Sequence, residues 1–367
     1  MPRTLMASVL LPLGGCGGGG SVAPTPTVLS TPAPADSGRL NMTLLAQLDT
    51  GALSGRAGVR GSGNWGYTAR RGGRRFALTG TSAGLSIVEV TDPGRPRNIA
   101  FIDGAPSGWR EVKTYRDYVY VTTEARTGLD IIDMSNPDRP LKVQTWNKTF
   151  DSAHSLWIDE ARGLLFANGT RSGMHVLDLK ANPRDPSDVG SFGEFYVHES
   201  YARGTTLYAS AIQNGFLAIL DVSDPARIRR VTQFVTGGSF THNAWLTDDG
   251  RYLFTTDEQP NFPVEGWDLA DPLSPRRVSQ FIAAPFTVPH NVMIDGSRLL
   301  VSHYSEGVHL LDIADPTRPR RIGFFDTFTT GTQFLAGCWG AYMFPRSNLI
   351  LASDIQGGLF VIGYTGS

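Results

Sequence analysis

Cysteine is nearly absent from this chain. Only Cys16 and Cys338 occur among 367 residues, which excludes a disulfide framework and the paired cysteines of zinc fingers and thioredoxin-like redox motifs. Long apolar runs are missing too, because after the first 16 residues no stretch approaches the ~18 apolar residues that a membrane-spanning helix needs. We therefore expect a fold that its own core stabilises, with Cys338 as a small buried residue.

An excess of charge of either sign is also lacking. The 33 basic and 34 acidic residues give a formal net charge of -1, so the sequence indicates neither nucleic acid nor an anionic membrane surface as a partner. The spacings H-E-x-x-H and C-x-x-C and that of the P-loop do not occur, and we identify no catalytic motif. The sequence therefore favours a role other than catalysis and leaves the enzyme question open.

The N-terminal segment differs in composition from the rest. Arg3 precedes an apolar stretch from Leu5 to Leu13, as is typical of a secretory signal peptide. Its ending, LGGC, resembles the lipobox of bacterial lipoproteins, and the resemblance implies that Cys16 becomes the lipidated N-terminus. An ordinary signal peptide is the alternative. We interpret residues 1–15 as the signal peptide and residues 16–39 as the lipidated cysteine with a Gly-, Pro- and Ser-rich linker.

The rest of the chain is repetitive. Six times an apolar run and an acidic residue end in Asp-Pro or Asn-Pro, with prolines at Pro93, Pro137, Pro183, Pro225, Pro272 and Pro316. The period near 45 residues predicts an all-β fold, a seven-bladed β-propeller with four-stranded antiparallel blades over residues 40–364. Six or eight blades are the alternatives. The last third strand, at residues 357–364, lacks an outer neighbour. We therefore predict that the N-terminal strand, Asn41 to Asp49, completes the last blade and closes the ring.

The repeats themselves carry a family resemblance. Third strands with their turns, such as ILDVSDP and LLDIADP, resemble those of LVIVD-repeat proteins. The lipobox followed by these repeats is similar to the choice-of-anchor B group. The resemblance covers nearly all of the chain after residue 40. It implies a propeller anchored by lipid in the bacterial cell envelope, at the periplasmic face of the outer membrane or on the cell surface, and it implies no reaction.

Polar residues recur where the first strand of each blade begins and the second strand ends. In a propeller these positions share one mouth of the central channel. We predict a binding face there, made of Trp109, Glu111, Glu124, His154, Asn168, His198, Glu199, Gln213, Asn243, Asn291, Trp339 and Asp354. Within it, two adjacent blades supply imidazoles and carboxylates that suit zinc, copper, iron or manganese. These candidate metal ligands are His242, His290, His303, Asp257 and Glu258.

Three functions are compatible with this pattern. The leading hypothesis is a cell-envelope lipoprotein whose propeller binds a protein, a glycan or a small molecule at the His-lined face. The first alternative is an oxidative or hydrolytic enzyme that uses the histidines and carboxylates with a divalent transition metal. The second is a purely structural or adhesive envelope protein whose histidines only make hydrogen bonds. Because a closed ring buries its own core, we expect a monomer that meets the membrane through its lipid anchor only.

Overall fold

The computed structural model describes residues 38–366, and they form seven antiparallel sheets. The segment that holds the predicted signal peptide and Cys16 lies outside the described residues. The first strands of neighbouring sheets contact one another around a ring, so each sheet is a propeller blade whose first strand is innermost. The all-β, seven-bladed architecture with four-stranded antiparallel blades confirms the prediction from the repeats.

The first four blades follow one another along the chain. Their strands are β3 to β6 (Gly61–Thr68, Arg75–Thr81, Gly84–Glu89, Arg97–Asp103), β7 to β10 (Val112–Tyr115, Tyr118–Val121, Leu129–Asp133, Leu141–Trp146), β11 to β14 (Ser155–Asp159, Leu164–Thr170, Gly173–Asp178, Ser187–Phe192) and β15 to β18 (Glu199–Arg203, Thr206–Ala211, Phe216–Asp221, Arg229–Phe234).

The last three blades include the two N-terminal strands, β1 (Arg39–Leu40) and β2 (Met42–Leu48). Blade 5 has β19 to β22 (Thr241–Leu246, Tyr252–Asp257, Val264–Asp268, Arg276–Phe281). Blade 6 has β23 to β26 (Val292–Asp295, Arg298–Ser302, Val308–Asp312, Arg320–Phe325), and β1 adds a fifth strand to it. Blade 7 has β27 to β29 (Cys338–Met343, Leu349–Asp354, Gly358–Tyr364) and β2.

The N-terminal strand closes the ring, as predicted. Strand β2 pairs antiparallel with β29, from Met42 opposite Tyr364 to Leu48 opposite Leu359. The first and last parts of the chain therefore share one sheet, and β29 has a neighbour on both sides. This pairing covers a strand edge that would otherwise be open to other chains.

Packing between blades explains the apolar runs of the middle strands. Strands β13 and β17 are buried on both faces, and Phe166 and Val176 of blade 3 lie in one core cluster with Leu207 and Leu220 of blade 4. A strand covered on both faces has no need of polar alternation. The acidic residue after such a strand caps the turn: Asp133 Oδ1, for example, accepts from the backbone N–H of Ser135 at 2.8 Å.

Helices have a minor part in the described chain. They are α1 (Thr50–Ser54) and the 3-10 turns Ile212–Asn214 and Pro225–Arg227. Within residues 38–366 no helix has the length and apolar character that crossing a membrane would require.

All seven inner strands run in the same direction along the channel, because each begins a blade of the same topology. We call the end where they begin the upper mouth and the end where they finish the lower mouth. The six Asp-Pro or Asn-Pro turns, called the Asp-Pro turns below, follow the third strands of blades 1 to 6 and lie at the lower face. The predicted binding face corresponds to the upper mouth.

Candidate functional site

Four histidines of successive blades stand side by side at the upper mouth. These are His154, His198, His242 and His290, called the His arc below. Their ring centroids are 4.1, 4.7 and 4.3 Å apart in that order. Three of them make the same backbone hydrogen bond: the N–H of His154 donates to the carbonyl of Asn168 at 2.9 Å, that of His198 to Ser210 at 2.8 Å and that of His290 to Ser302 at 2.9 Å. His242 instead lies at a register shift between Thr241 and Asn243. Four successive blades therefore each place one buried imidazole at the upper mouth.

Two rings of the arc are oriented by the blade that follows. His242 Nδ1 lies 3.2 Å from the carbonyl oxygen of His290, and His290 Nδ1 contacts the carbonyl oxygen of Trp339. A carbonyl only accepts, so each Nδ1 carries the hydrogen and each Nε2 keeps a free lone pair. Burial lowers the pKa of both rings, which holds them neutral. Neutral imidazole with an oriented Nε2 is the form that binds metals.

Glu258 faces these two free nitrogens. Its Oε2 lies 3.8 Å from His242 Nε2 and its Oε1 lies 3.8 Å from His290 Nε2. The hydroxyl of Tyr304 donates to Oε1 at 2.5 Å. Tyr304 has a φ of 36°, a backbone conformation that side chains other than glycine adopt at a cost. Through this hydrogen bond Tyr304 holds the Glu258 carboxylate beside the His arc.

His198 completes a set of three donors. Its Nε2 is buried and has no hydrogen-bond partner in the described part of the chain. Ligating atoms of His198, His242 and Glu258 all lie within 4.8 Å of one another. Burial, and repulsion from neighbouring imidazoles whenever they are protonated, lower the pKa of His198 well below its usual value. The set offers two neutral nitrogens and one carboxylate oxygen to a shared centre.

His154, at the other end of the arc, differs in charge. Burial would lower its pKa, but its Nδ1 lies 2.7 Å from Glu124 Oε1. This hydrogen bond and the charges of Glu124, Glu199 and Glu111 raise the pKa instead. His154 is therefore the imidazole of the arc that most readily carries a proton.

A layer of buried charge lies below the arc. Glu111 accepts from the indole N–H of Trp339 at 2.8 Å, and Glu199 accepts from the amide of Asn243. Burial and the charge of Glu111 raise the pKa of Glu199 to about 7. Lys113 lies in the same layer, and burial lowers its pKa. These side chains enclose a space of about 40 Å³, which is room for a few water molecules.

Several predicted residues lie away from this cluster. Asp257 accepts from Thr236 Oγ1 at 2.7 Å and from the N–H of Phe240 at 2.8 Å. Asp354 likewise binds Thr327 Oγ1 and the N–H of Gly357, both at 2.7 Å. Both carboxylates fasten loops. Asp257 is the last residue of β20 and Glu258 follows it, and the two carboxylates have different partners: Asp257 binds the loop before β19, whereas Glu258 faces the His arc.

The remaining predicted residues lie in different environments. Asn291 lines the enclosed space with Asn243. Asn168 links blades 3 and 4, with Ser155 and Ser200 at 3.1 and 3.0 Å. Gln213 is exposed, and Trp109 lies at the rim with 43% of its surface exposed. His303 packs against His309 with ring centroids 5.3 Å apart, behind the arc.

Sequence reasoning missed two residues and one motif. Tyr304 and Lys113 were not among the candidates, although Tyr304 directly follows His303 and Lys113 lies two residues after Glu111. Residues 80–84 read G-T-S-A-G, the spacing of the hydrolase nucleophile elbow. That elbow joins a strand to a helix, whereas these residues join β4 to β5. Ser82 instead accepts from the N–H of Arg60 at 3.1 Å, so the match has a structural role.

Comparisons with known proteins support the fold. The LVIVD repeat model matches residues 109–147 and 208–236, so LVIVD repeats are present. Among solved structures, the chain is similar to the β-propeller domain of Cps50 (Swd1) from Myceliophteria thermophila, with a TM-score of 0.62 and 12% identity over 88% of this chain and 99% of that chain. At this identity the likeness shows the fold alone. No curated protein matches the sequence.

Proposed function

We propose that the protein is a binding protein whose upper mouth holds a divalent transition-metal ion through His198, His242 and Glu258. The observation that carries the proposal is the buried, unpartnered Nε2 of His198, which lies with His242 and Glu258 in one group of ligand atoms. A buried polar atom without a partner costs free energy, and a metal ion would supply the partner. Imidazole and carboxylate suit zinc, copper, iron and manganese.

The charge of the surrounding layer supports a cation. Glu111 and Glu199 are buried directly below the arc, and Glu258 stands within it. Lys113 is the basic residue of the layer, but burial lowers its pKa and so disfavours a positive charge there. A buried site with a surplus of carboxylates favours a bound cation, because buried charge is stable only when it is paired.

We propose further that this propeller works in the bacterial cell envelope, held there by lipid on Cys16. The support is the signal-like segment and the LGGC ending, followed by a stretch rich in Gly, Pro and Ser. Cys16→Ser should release the protein from the membrane fraction to the soluble fraction. Unchanged retention in membranes would contradict lipidation at this cysteine.

The metal proposal has a direct test. The chain from residue 17 onward, without a His tag, is loaded with Zn²⁺, Cu²⁺, Fe²⁺ or Mn²⁺, dialysed, and measured by elemental mass spectrometry. We expect about one ion per chain for the preferred metal. His242→Asn keeps a donor near the Nδ1 position and removes Nε2, so it should lose the ion. His175→Asn is the matched control, because His175 is bound by Asp188 and Ser172 in blade 3. No retained ion in the unaltered chain, or equal retention in His242→Asn, would overturn the proposal.

A metal-dependent enzyme is the second candidate function. One observation favours it: the group of ligand atoms comes from three side chains, and a tetrahedral ion held by three protein ligands would keep one position open, as in catalytic zinc sites. Tyr304, whose pKa burial raises well above its usual value, stays protonated while it donates to Glu258. Zinc-loaded protein should then hydrolyse a chromogenic ester or phosphoester faster than His242→Asn does. Equal rates would leave metal binding as the proposed function and reject hydrolysis of these esters.

A further inference from the structure

The lower mouth opens into a second, larger cavity. Its volume is about 890 Å³, within the range of small-molecule sites. It is lined by the ends of the inner strands of blades 1 to 4 and by side chains from blades 5 to 7. None of the residues predicted from the sequence lies in its wall, so it is a site distinct from the upper mouth.

Three tryptophans of alternate blades line this cavity and stand between it and the polar layer. Trp65, Trp157 and Trp245 come from blades 1, 3 and 5, and all three are partly exposed. Ring centroids are 6.4 Å apart for Trp65 and Trp157 and 5.0 Å for Trp157 and Trp245, with interplanar angles of 85° and 90°. Adjacent indoles therefore meet edge to face, and neither adjacent pair forms a parallel slot that would clamp a planar base. The three indoles together are called the tryptophan floor below.

The wall of the cavity is basic. Arg70, Arg116, Lys180 and Arg203 line it, against two acidic residues, Asp159 and Glu160. The guanidinium of Arg203 is held by the backbone carbonyls of Thr247 and Asp248, at 2.7 and 2.5 Å. Its position is therefore fixed while its charge is not neutralised by a carboxylate. Clefts with surplus charge of one sign attract ligands of the other sign.

One buried acceptor in the wall is unfilled. Asp159 is 6% exposed, and its Oδ1 accepts from the N–H of Arg162 at 3.2 Å. Its Oδ2 is buried and has no partner in the described part of the chain. A carboxylate accepts only, so the missing partner is a donor, such as a hydroxyl group.

We infer that the lower mouth binds an acidic sugar, a ring with hydroxyl groups and a carboxylate. Its apolar ring face would lie on the tryptophan floor, its carboxylate would meet the basic wall, and a hydroxyl would reach Asp159 Oδ2. A nucleotide also has a ring, hydroxyls and negative charge. The crossed indoles favour the sugar, because a planar base stacks best between parallel rings.

Binding is measured with the chain from residue 17 onward by titrating its tryptophan fluorescence, with trigalacturonate as the probe. Maltotriose is the neutral comparison and adenosine monophosphate the nucleotide comparison. We expect a saturable change with trigalacturonate and at least ~10-fold weaker binding of both others, with an affinity for trigalacturonate that falls as salt rises. Equal or tighter binding of maltotriose or of the nucleotide, or no binding of trigalacturonate, would overturn the inference.

Variants in which basic residues are replaced by glutamate test whether the sugar binds at the lower mouth. Arg116→Glu with Lys180→Glu changes two exposed wall residues and should weaken trigalacturonate binding ~10-fold or more. Arg139→Glu with Arg318→Glu is the matched control, because both arginines are exposed in Asp-Pro turns outside the cavity. His242→Asn should leave sugar binding unchanged. Equal loss in both double variants, or loss in His242→Asn, would show that the ligand does not bind at the lower mouth.

Discussion

His242 donates its Nδ1 hydrogen to the backbone carbonyl oxygen of His290, 3.2 Å away in the next blade. His290 repeats the contact with Trp339, one blade further on. Each imidazole is thus aligned by its neighbour's backbone, and the free nitrogens turn toward Glu258. The site is assembled from blades 4, 5 and 6. It therefore depends on the closed ring that holds these blades next to one another.

Tyr304→Phe should weaken metal binding without unfolding the protein. The hydroxyl of Tyr304 holds Glu258 at 2.5 Å, and loss of a group that orients a ligand typically costs 10–100-fold in metal affinity. We expect a loss of roughly 10-fold, measured by competition with a chromogenic chelator. Tyr304 acts here as a positioning residue.

Tyr67→Phe provides the control for Tyr304. Tyr67 also donates to a carboxylate, that of Asp117 at 2.9 Å, and it lines the lower mouth. Its substitution should leave metal affinity unchanged. If both variants lose affinity equally, or if Tyr304→Phe lowers the melting temperature and the affinity together, the positioning role of Tyr304 is wrong.

The repeat made the fold and half of the site predictable. Aligning the Asp-Pro turns places His154, His198, His242 and His290 in corresponding positions, because these blades have the same four-strand topology. The alignment could not show which of Asp257 and Glu258 faces the histidines. Both lie where β20 ends, and the direction of each side chain there depends on the loop that follows. Tyr304 was missed for the same reason: its backbone has a positive φ, which turns its side chain in a direction that strand alternation does not give.

Asp257→Asn should lower stability and leave metal binding intact. The carboxylate accepts from Thr236 Oγ1 and from the N–H groups of Gly238 and Phe240. An amide has one acceptor oxygen, so at least one buried donor loses its partner, at a cost of about 1–3 kcal/mol. Urea unfolding measures the loss, and elemental analysis measures the ion. Loss of the ion from a folded Asp257→Asn protein would mean that Asp257 belongs to the metal site.

Glu199→Gln should stabilise the protein at pH 8 and have little effect at pH 5. An ordinary glutamate titrates near pH 4.5, whereas burial and the charge of Glu111 raise the pKa of Glu199 to about 7. Between these values the folded chain holds a proton that the unfolded chain has released. The stability that Glu199 contributes is therefore complete below pH 4.5 and is lost as the pH rises to 7.

At pH 8, Glu199→Gln should raise the free energy of unfolding by at most about 3 kcal/mol, since a pKa shift of one unit corresponds to ~1.4 kcal/mol. Glutamine keeps the oxygen that accepts from Asn243. The charge of Glu199 also acts on the pKa values of His154 and Lys113, so their response to the substitution is part of the measured difference. Urea unfolding at pH 5, 6, 7 and 8 gives that difference. A constant difference at all four values would contradict the raised pKa.

Removal of the N-terminal strand should open the ring. A chain that starts at residue 49 lacks β2 and leaves the edge of β29 unpaired, so we expect aggregation or a much lower melting temperature. A chain that starts at residue 41 is the matched control. It loses only β1, a two-residue strand at the outer edge of blade 6, and should match the chain that starts at residue 17 in melting temperature and in elution from a size-exclusion column.

A peptide of residues 38–49 should rescue the chain that starts at residue 49. Added in excess during refolding, the peptide supplies the missing strand by pairing with β29, the mode in which extended peptides add to a sheet edge. Met42 is 3% exposed in the closed ring, so the same peptide with Met42→Asp would bury a carboxylate and should fail. Rescue by both peptides, or a monomeric and equally stable chain without β2, would show that closure contributes little to the fold.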